Sequence, residues 1–142
     1  MAEEPTTPDL VELTRRRVDA ADSGDIDAMT SFVAQDAVWD SSPMGFEVYE
    51  GQAAIHRGLE DWWGAFDVSG AEAEEIFDLG NGVTFAVVTL TGRPPGGSGE
   101  VELRYGAVST WGQGVIVRET NYTDIDEARA AAERLAEERA DG

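Results

Sequence analysis

Apolar residues recur at helical spacing through the first part of the chain. A first helix is predicted over residues 10–23, with Thr7 as its N-cap and Pro8 at its first position. Its inward stripe consists of Leu10, Leu13, Thr14, Arg17 and Ala21. A second, short helical pattern begins at Asp25, and a third covers residues 52–66. The first half of the chain is therefore predicted to be mainly helical.

The spacing changes to that of strands after residue 71. Short extended segments are predicted at residues 37–40 and 46–49, and longer strands at residues 73–78, 83–91, 101–111 and 115–122. Asn81-Gly82 and Gly112-Gln113-Gly114 are turn sequences that connect strands as antiparallel hairpins, and residues 92–99 are predicted to form a long, flexible hairpin loop. Residues 124–140 return to helical spacing behind a capping box of Asp124 and Glu127.

Helices followed by a meander of strands predict an α+β fold, with the helices on one face of an antiparallel sheet. A chain of 142 residues is long enough for one domain with a buried core. We expect a disordered N-terminal tail over residues 1–8, the α+β domain over residues 9–126 and a C-terminal helical extension over residues 127–142.

The charge of the chain excludes several classes of partner. Its 29 acidic and 10 basic residues give a net charge of −19, and all the basic residues are arginine. Such a charge repels phosphate backbones and anionic lipid, so neither a nucleic-acid partner nor a membrane is expected. The chain has no cysteine and one histidine, so a disulfide framework and a metal site are not expected. No cofactor is predicted, and the expected location is cytoplasmic.

Asp40 is the first candidate for chemistry. It ends a short strand and is followed by the loop residues Ser41 to Gly45. Strand alternation places it on the face of Val38, which we expect to point into the core, where a carboxylate is costly unless it is paired or used. Asp40 is therefore a candidate general acid or base. The alternative is that it caps the loop by accepting hydrogen bonds from Ser42 or nearby backbone.

Two basic side chains are candidate partners of Asp40. Arg17 lies on the inward stripe of the first helix and could form a buried ion pair with Asp40 or hold an anionic ligand; alternatively its guanidinium extends to the surface. His56 has an ordinary pKa near neutrality, which suits a proton shuttle, although beside Arg57 on the third helix it could equally face solvent.

Four segments resemble the SnoaL-like branch of the nuclear-transport-factor-2-like superfamily. They are residues 20–27 (AADSGDID), residues 36–40 (DAVWD), residues 49–51 (YEG) leading into a helix, and residues 117–124 (VRETNYTD). The resemblance covers residues 10–126. It implies a cone-shaped fold, in which a curved antiparallel sheet wraps around the N-terminal helices and encloses a hydrophobic pocket, and it implies a homodimer through the sheet.

The resemblance also bears on the chemistry. Asp40 falls where ketosteroid isomerases carry their general-base aspartate. Arg17 and Ala107 stand where that family has the tyrosine and the acid of its oxyanion hole, so ketosteroid isomerase activity itself is not expected. Asn121 stands where the SnoaL-type cyclases have an aspartate, and an asparagine cannot accept a proton.

The remaining pocket candidates are mostly aromatic or lie on the last strand. They are Tyr49, Trp63, Tyr105, Glu119 and Asn121. The aromatic members could instead belong to the core or to a dimer interface. Glu119 shares a strand face with Asn121, whereas Arg118 points to the opposite face, which is expected to meet a second subunit.

Two functions of different class follow. In the first, the protein binds a small hydrophobic molecule and catalyses cofactor-independent proton transfer, such as isomerisation, cyclisation or dehydration. In that case Asp40 moves the proton, Arg17 sets its ionisation or holds an oxyanion, and Asn121 and His56 orient the substrate. In the second, the protein is a non-catalytic ligand-binding or dimeric assembly module.

Overall fold

The computed structural model describes residues 9–93 and 99–141. The predicted N-terminal tail, Thr7 and Pro8, and residues 94–98 of the predicted hairpin loop lie outside the described residues. The first helix begins at Leu10, and its N-cap is Asp9, whose carboxylate accepts a hydrogen bond from the backbone N–H of Glu12. The N-cap predicted at Thr7 is therefore wrong by two residues, because Asp9 is itself a good capping residue.

The element order matches the predicted alternation of helices and strands. The elements are α1 (Leu10–Ser23), α2 (Ile26–Ser31), β1 (Val33–Asp40), a 3-10 turn (Ser42–Met44), β2 (Val48–Glu50), α3 (Gln52–Ala65), β3 (Gly70–Gly80), β4 (Val83–Gly92), β5 (Val101–Gly112), β6 (Val115–Tyr122) and α4 (Ile125–Asp141). The strand β1 starts four residues earlier than predicted, since only its second half alternates clearly between buried and partly exposed residues.

The strands form one curved six-stranded sheet in the order β2-β1-β6-β5-β4-β3. Neighbouring strands are antiparallel except for β1 and β6, which pair in parallel with Trp39 opposite Glu119. The prediction of a purely antiparallel sheet is thus corrected to a mixed sheet. The parallel pairing is possible because α3 and four further strands separate β1 from β6 along the chain, and no hairpin turn fixes their relative direction.

The sheet has an inner and an outer face. Helices α1, α2 and α3 cover the inner face and form a core with Met29, Ala37, Trp39, Ile55 and Leu59, all buried. This arrangement of helices inside a curved sheet is the predicted cone, with an α+β fold. The interior between the helices and the inner face holds the candidate site.

Helix α4 packs on the outer face of the sheet, against β4 and β5. Its small residues Ala128, Ala132 and Ala136 are buried against apolar side chains of these strands. Gly106 of β5 allows this close approach, because a Cβ added there would lie 2.5 Å from Cβ of Ala128. The helix therefore covers, within one chain, part of the face that the sequence assigned to a second subunit.

Within the residues that the structure describes, no helix combines the length and the apolar character needed to cross a membrane. The cytoplasmic location stays a prediction, as does the division of the chain after residues 8 and 126.

Candidate functional site

An interior cavity of about 70 Å³ lies between the three N-terminal helices and the inner face of the sheet. This volume would hold a few water molecules or a small organic molecule. Its lining is mostly apolar and consists of Thr14, Arg17, Val18, Ala21, Met29, Trp39, Ser41, Met44, Leu59, Trp62, Trp63, Ala86, Val88, Leu90, Leu103, Tyr105, Ala107, Ser109, Trp111, Ile116, Glu119 and Asn121. All four tryptophans of the chain are among them.

An ion pair marks the polar part of the cavity. Arg17 Nη1, on α1, donates a hydrogen bond to Oε1 of Glu119, on β6. The two side chains are only 16% and 8% exposed, so both charges are largely withdrawn from water. Pairing offsets the cost of burying either charge alone. Ser109 lies beside the pair, with its hydroxyl 3.5 Å from the same carboxylate oxygen.

Tyr105 and Asn121 add neutral hydrogen-bonding groups to this region. Burial raises the pKa of the Tyr105 hydroxyl far above its ordinary value; the negative charge of Glu119 adds to the rise and Arg17 opposes it. The hydroxyl therefore remains protonated at physiological pH and can act as a hydrogen-bond donor. Asn121 is buried, and its Nδ2 lies 3.4 Å from the Ser41 hydroxyl.

Alternation in the strands brings these residues together. Glu119 and Asn121 are two residues apart on β6, and Asn121 is paired with Ala107 of β5. Tyr105, Ala107 and Ser109 occupy the same face of β5 as one another. Of the predicted ligand-binding residues, the structure thus brings Trp63, Tyr105, Glu119 and Asn121 into the cavity lining, and Arg17 joins them from α1.

Asp40 lies outside this group. Its Oδ1 accepts hydrogen bonds from the backbone N–H and the hydroxyl of Ser42 at 2.9 and 2.6 Å, and Oδ2 accepts one from Arg118 at 2.9 Å. Burial alone would raise the pKa of the Asp40 carboxyl, but the hydrogen bonds from Ser42 and the charge of Arg118 outweigh burial and lower it. The predicted pairing of Asp40 with Arg17 is therefore wrong.

The error came from the choice of face. Asp40 does share a face of β1 with Val38, as alternation requires, but the residues of β1 that line the cavity are Trp39 and, just beyond the strand, Ser41. Val38 and Asp40 instead lie on the outer face with Arg118, whose position opposite Val38 in the sheet register fits the same assignment. The alternative considered for Asp40, a cap on the following loop, describes its contacts.

His56 and Tyr49 also lie away from the cavity lining. His56 is placed between two carboxylates, with Nε2 2.9 Å from Asp27 of α2 and Nδ1 3.0 Å from Glu60 of its own helix. The hydrogen bond to Asp27 raises the pKa of His56; partial burial opposes the rise and Glu60 adds to it. Tyr49 stacks on Trp39 with ring centroids 5.1 Å apart and so packs against a residue of the lining.

Several lining residues escaped the sequence-based prediction. Trp39, Trp62, Ser41 and Ser109 all contribute to the cavity. Their signal was present in part, because Trp39 and Ser41 alternate with Asp40 and belong to the opposite face. Choosing which face of β1 is interior required the tertiary structure.

Comparison with known proteins places the chain in a family. The family model described as SnoaL-like domain matches residues 14–119, about three quarters of the chain. No curated protein matches its sequence. Many solved structures share the fold, as expected for an architecture that carries many activities.

Three of these structures illustrate the likeness. A protein of ketosteroid isomerase-like fold from Catenulispora acidiphila, solved in complex with trimethylamine, is 12% identical with a TM-score of 0.71; the match covers 89% of this chain and 94% of that one. A Bacillus subtilis protein suggested to be an isomerase is 22% identical, with a TM-score of 0.68 and coverages of 78% and 83%. An uncharacterised cystatin-fold protein from Novosphingobium aromaticivorans is 19% identical, with a TM-score of 0.68 and coverages of 81% and 98%. At these identities the structures establish the fold, and together with the family match they show that the chain belongs to the SnoaL-like domain family, with the ketosteroid isomerase-like cone fold.

Proposed function

We propose that the interior cavity binds a small hydrophobic molecule and that Glu119 transfers a proton on it. The observation that carries this proposal is a carboxylate, 8% exposed, in a cavity otherwise lined mainly by aromatic and aliphatic side chains. Desolvated carboxylates in apolar pockets suit general acid–base catalysis. Glu119 thus takes the role first predicted for Asp40.

The cavity residues support a simple reaction sequence. The Glu119 carboxylate removes a proton from a carbon next to a carbonyl of the substrate; the C–H bond breaks and its electron pair moves towards the carbonyl oxygen. The protonated Tyr105 hydroxyl donates a hydrogen bond to the developing oxyanion. Glu119 then returns the proton at another position, which isomerises the substrate. Cyclisation and dehydration can begin with the same proton removal, and these steps require no cofactor.

Arg17 positions the proposed base. Its hydrogen bond from Nη1 to Glu119 fixes one carboxylate oxygen, which leaves Oε2 for proton transfer. Arg17 is a positioning residue in this proposal.

Support for a small ligand also comes from the Catenulispora acidiphila protein of the same fold, which was solved in complex with trimethylamine.

Hydrogen–deuterium exchange tests the proton-transfer role. Compounds that bind the protein, found by tryptophan fluorescence from a panel of small apolar ketones, are incubated with it in D2O, and exchange at the carbon beside the carbonyl is followed by NMR. Glu119→Gln should slow this exchange by about 10²-fold or more while binding changes little, because Gln retains the acceptor for Arg17 but cannot take a proton. Glu102→Gln, on an exposed position of the neighbouring strand, is the matched control.

The result also distinguishes the second function. The Arg17–Glu119 ion pair satisfies the buried carboxylate without any substrate, which favours a non-catalytic ligand-binding module. Binding without exchange in the unaltered protein would contradict proton transfer and leave that module as the function. Equal exchange in Glu119→Gln would contradict the assignment of Glu119 as the base.

We also propose a homodimer through the outer face of the sheet. Helix α4 covers the outer side of β4 and β5, so the outer surface of β1 and β6, around Val38, Arg118 and Thr120, remains for a second subunit. Sedimentation velocity should give twice the 15.3 kDa monomer mass. Thr120→Arg should produce the monomer by placing like charges across the interface, whereas Ala130→Arg, at an exposed position of α4, should not. A monomeric unaltered protein would contradict the proposal.

A further inference from the structure

Three polar atoms on residues that line the cavity have no hydrogen-bond partner among the described residues. They are the donors Arg17 Nε and Trp39 Nε1 and the acceptor Asn121 Oδ1, all buried. A molecule that displaces water from the cavity has to supply the missing partners, because a buried polar group left unpaired is costly. The unpaired set contains both kinds of group and therefore calls for both an acceptor and a donor on the ligand.

The charges of the lining restrict the ligand further. Among the described residues that line the cavity, Arg17 and Glu119 alone carry charge, and they pair with each other. An anionic ligand would compete with Glu119 for Arg17 and would be repelled by Glu119. A cationic ligand would compete with Arg17 for Glu119 and would be repelled by Arg17. Either would lose its hydration without gaining a free counter-charge. An uncharged ligand avoids both costs.

The rest of the lining determines the body of the ligand. Trp39, Trp62, Trp63 and Trp111 share it with aliphatic residues such as Val88 and Leu90. Rings and aliphatic side chains favour an apolar, flat body. A polar substituent placed among these rings and aliphatic side chains would lie against carbon and lose its hydrogen bonds to water.

We propose that the cavity selects an uncharged molecule with an apolar body and a polar head that carries an acceptor and a donor side by side, as in a primary carboxamide or a lactam. The acceptor pairs with the unpaired donors of Arg17 and Trp39, and the donor pairs with Asn121 Oδ1. This inference rests on the proposed function only in requiring that the cavity takes up a small molecule. It does not depend on proton transfer by Glu119.

Four probes of nearly equal size test the inference. Benzamide is uncharged with both groups, benzoate is anionic, benzamidinium is cationic, and acetophenone is uncharged without the donor. Their binding to the unaltered protein is measured by tryptophan fluorescence, since all four tryptophans line the cavity, with calorimetry as a second readout. Benzamide should bind at least about tenfold more tightly than either charged probe and several-fold more tightly than acetophenone.

The variant Asn121→Leu tests the donor half of the head. It removes the proposed acceptor at similar volume, so the preference for benzamide over acetophenone should vanish while the preference over benzoate remains. Should this variant fail to fold, the comparison of benzamide with acetophenone on the unaltered protein still decides the point. Equal binding of these two probes, or a retained preference in folded Asn121→Leu, would overturn the donor assignment.

The outcomes separate this inference from the proposed function. If benzoate or benzamidinium binds as tightly as benzamide, the inference fails and the cavity remains a binding site. If no probe binds saturably, and no ketone of the earlier panel binds either, both fail. If benzamide is preferred but Glu119→Gln leaves exchange unchanged, the inference stands and proton transfer fails.

Discussion

Two carboxylates on neighbouring strands have opposite environments in this sheet. Asp40 of β1 and Glu119 of β6 are separated by one step of the register, since Trp39 is opposite Glu119 and Asp40 is opposite Thr120. One step changes the face, so Glu119 enters the cavity beside Arg17 and Asp40 lies on the outer face beside Arg118. Each carboxylate thereby acquires its own arginine.

The Asp40 carboxylate is expected to contribute to stability and not to turnover. Asp40→Asn retains an acceptor for Ser42 but weakens the pairing with Arg118, so the free energy of unfolding in urea should fall by about 1 kcal/mol or less at neutral pH. The loss should diminish as the pH falls, because the pKa of Asp40 is lowered from 3.8 in the folded state and its contribution disappears once the carboxyl is protonated.

The proton-exchange assay supplies the second half of this prediction. Asp40→Asn should exchange ligand protons at the rate of the unaltered protein, and Asp36→Asn, an exposed position on the same strand, should change neither stability nor exchange. A loss of exchange in Asp40→Asn as large as in Glu119→Gln would restore Asp40 as the base.

At the scale of single residues, the sequence predicted the site only in part. Alternation along the last strand correctly separated Glu119 from Arg118, because Glu119 and Asn121 are two residues apart in a regularly paired stretch of β6. Asp40 was harder, since β1 is followed by an irregular loop and both of its faces carry apolar residues, Val38 on one and Trp39 on the other. Only the packing of α3 and β2 identifies the Trp39 face as interior.

At the scale of elements, helices and hairpins were predictable because their signals are local. Gly24 ends α1 in a left-handed conformation with φ of 72°, and Asn81-Gly82 connects β3 to β4 with positive φ at both positions. The parallel pairing of β1 with β6 has no such signal, because it joins segments about eighty residues apart. The close contact between Gly106 and Ala128, which places α4 against the sheet, has no local sequence signal either.

The position of α4 changes the interpretation of its sequence. Its apolar stripe of Ile125, Ala128, Ala132 and Leu135 is thin, yet Ala128 and Ala132 are fully buried. Small residues allow a helix to approach a sheet closely where the strand beneath carries glycine, and Gly106 supplies that position. The packing is therefore specific, and any subunit interface through the sheet has to adjoin α4 and cannot replace it.

At the scale of the whole molecule, the chain has an unusually simple titration near neutrality. It contains one histidine and no cysteine, and its other charged side chains are carboxylates and arginines. His56 is therefore the one side chain whose ordinary pKa lies near pH 6.5. It also links two elements, since its ring bridges Asp27 of α2 and Glu60 of α3, and residues of both helices line the cavity.

The pH dependence of stability should consequently follow His56. Its pKa is raised above 6.5 in the folded protein, so the contribution of the protonated ring is fully present below that value and is lost as the pH rises through the folded-state pKa. The free energy of unfolding, measured in urea from about pH 6 to about pH 9, should decline in the unaltered protein and remain nearly level in His56→Gln. Asp27→Asn removes the carboxylate that raises the pKa of His56 more strongly, so this variant should reduce the decline. Glu133→Gln, at an exposed position of α4, should not. Parallel profiles for the unaltered protein and His56→Gln would show that the bridge between α2 and α3 contributes nothing, and that the single histidine is a solvated side chain.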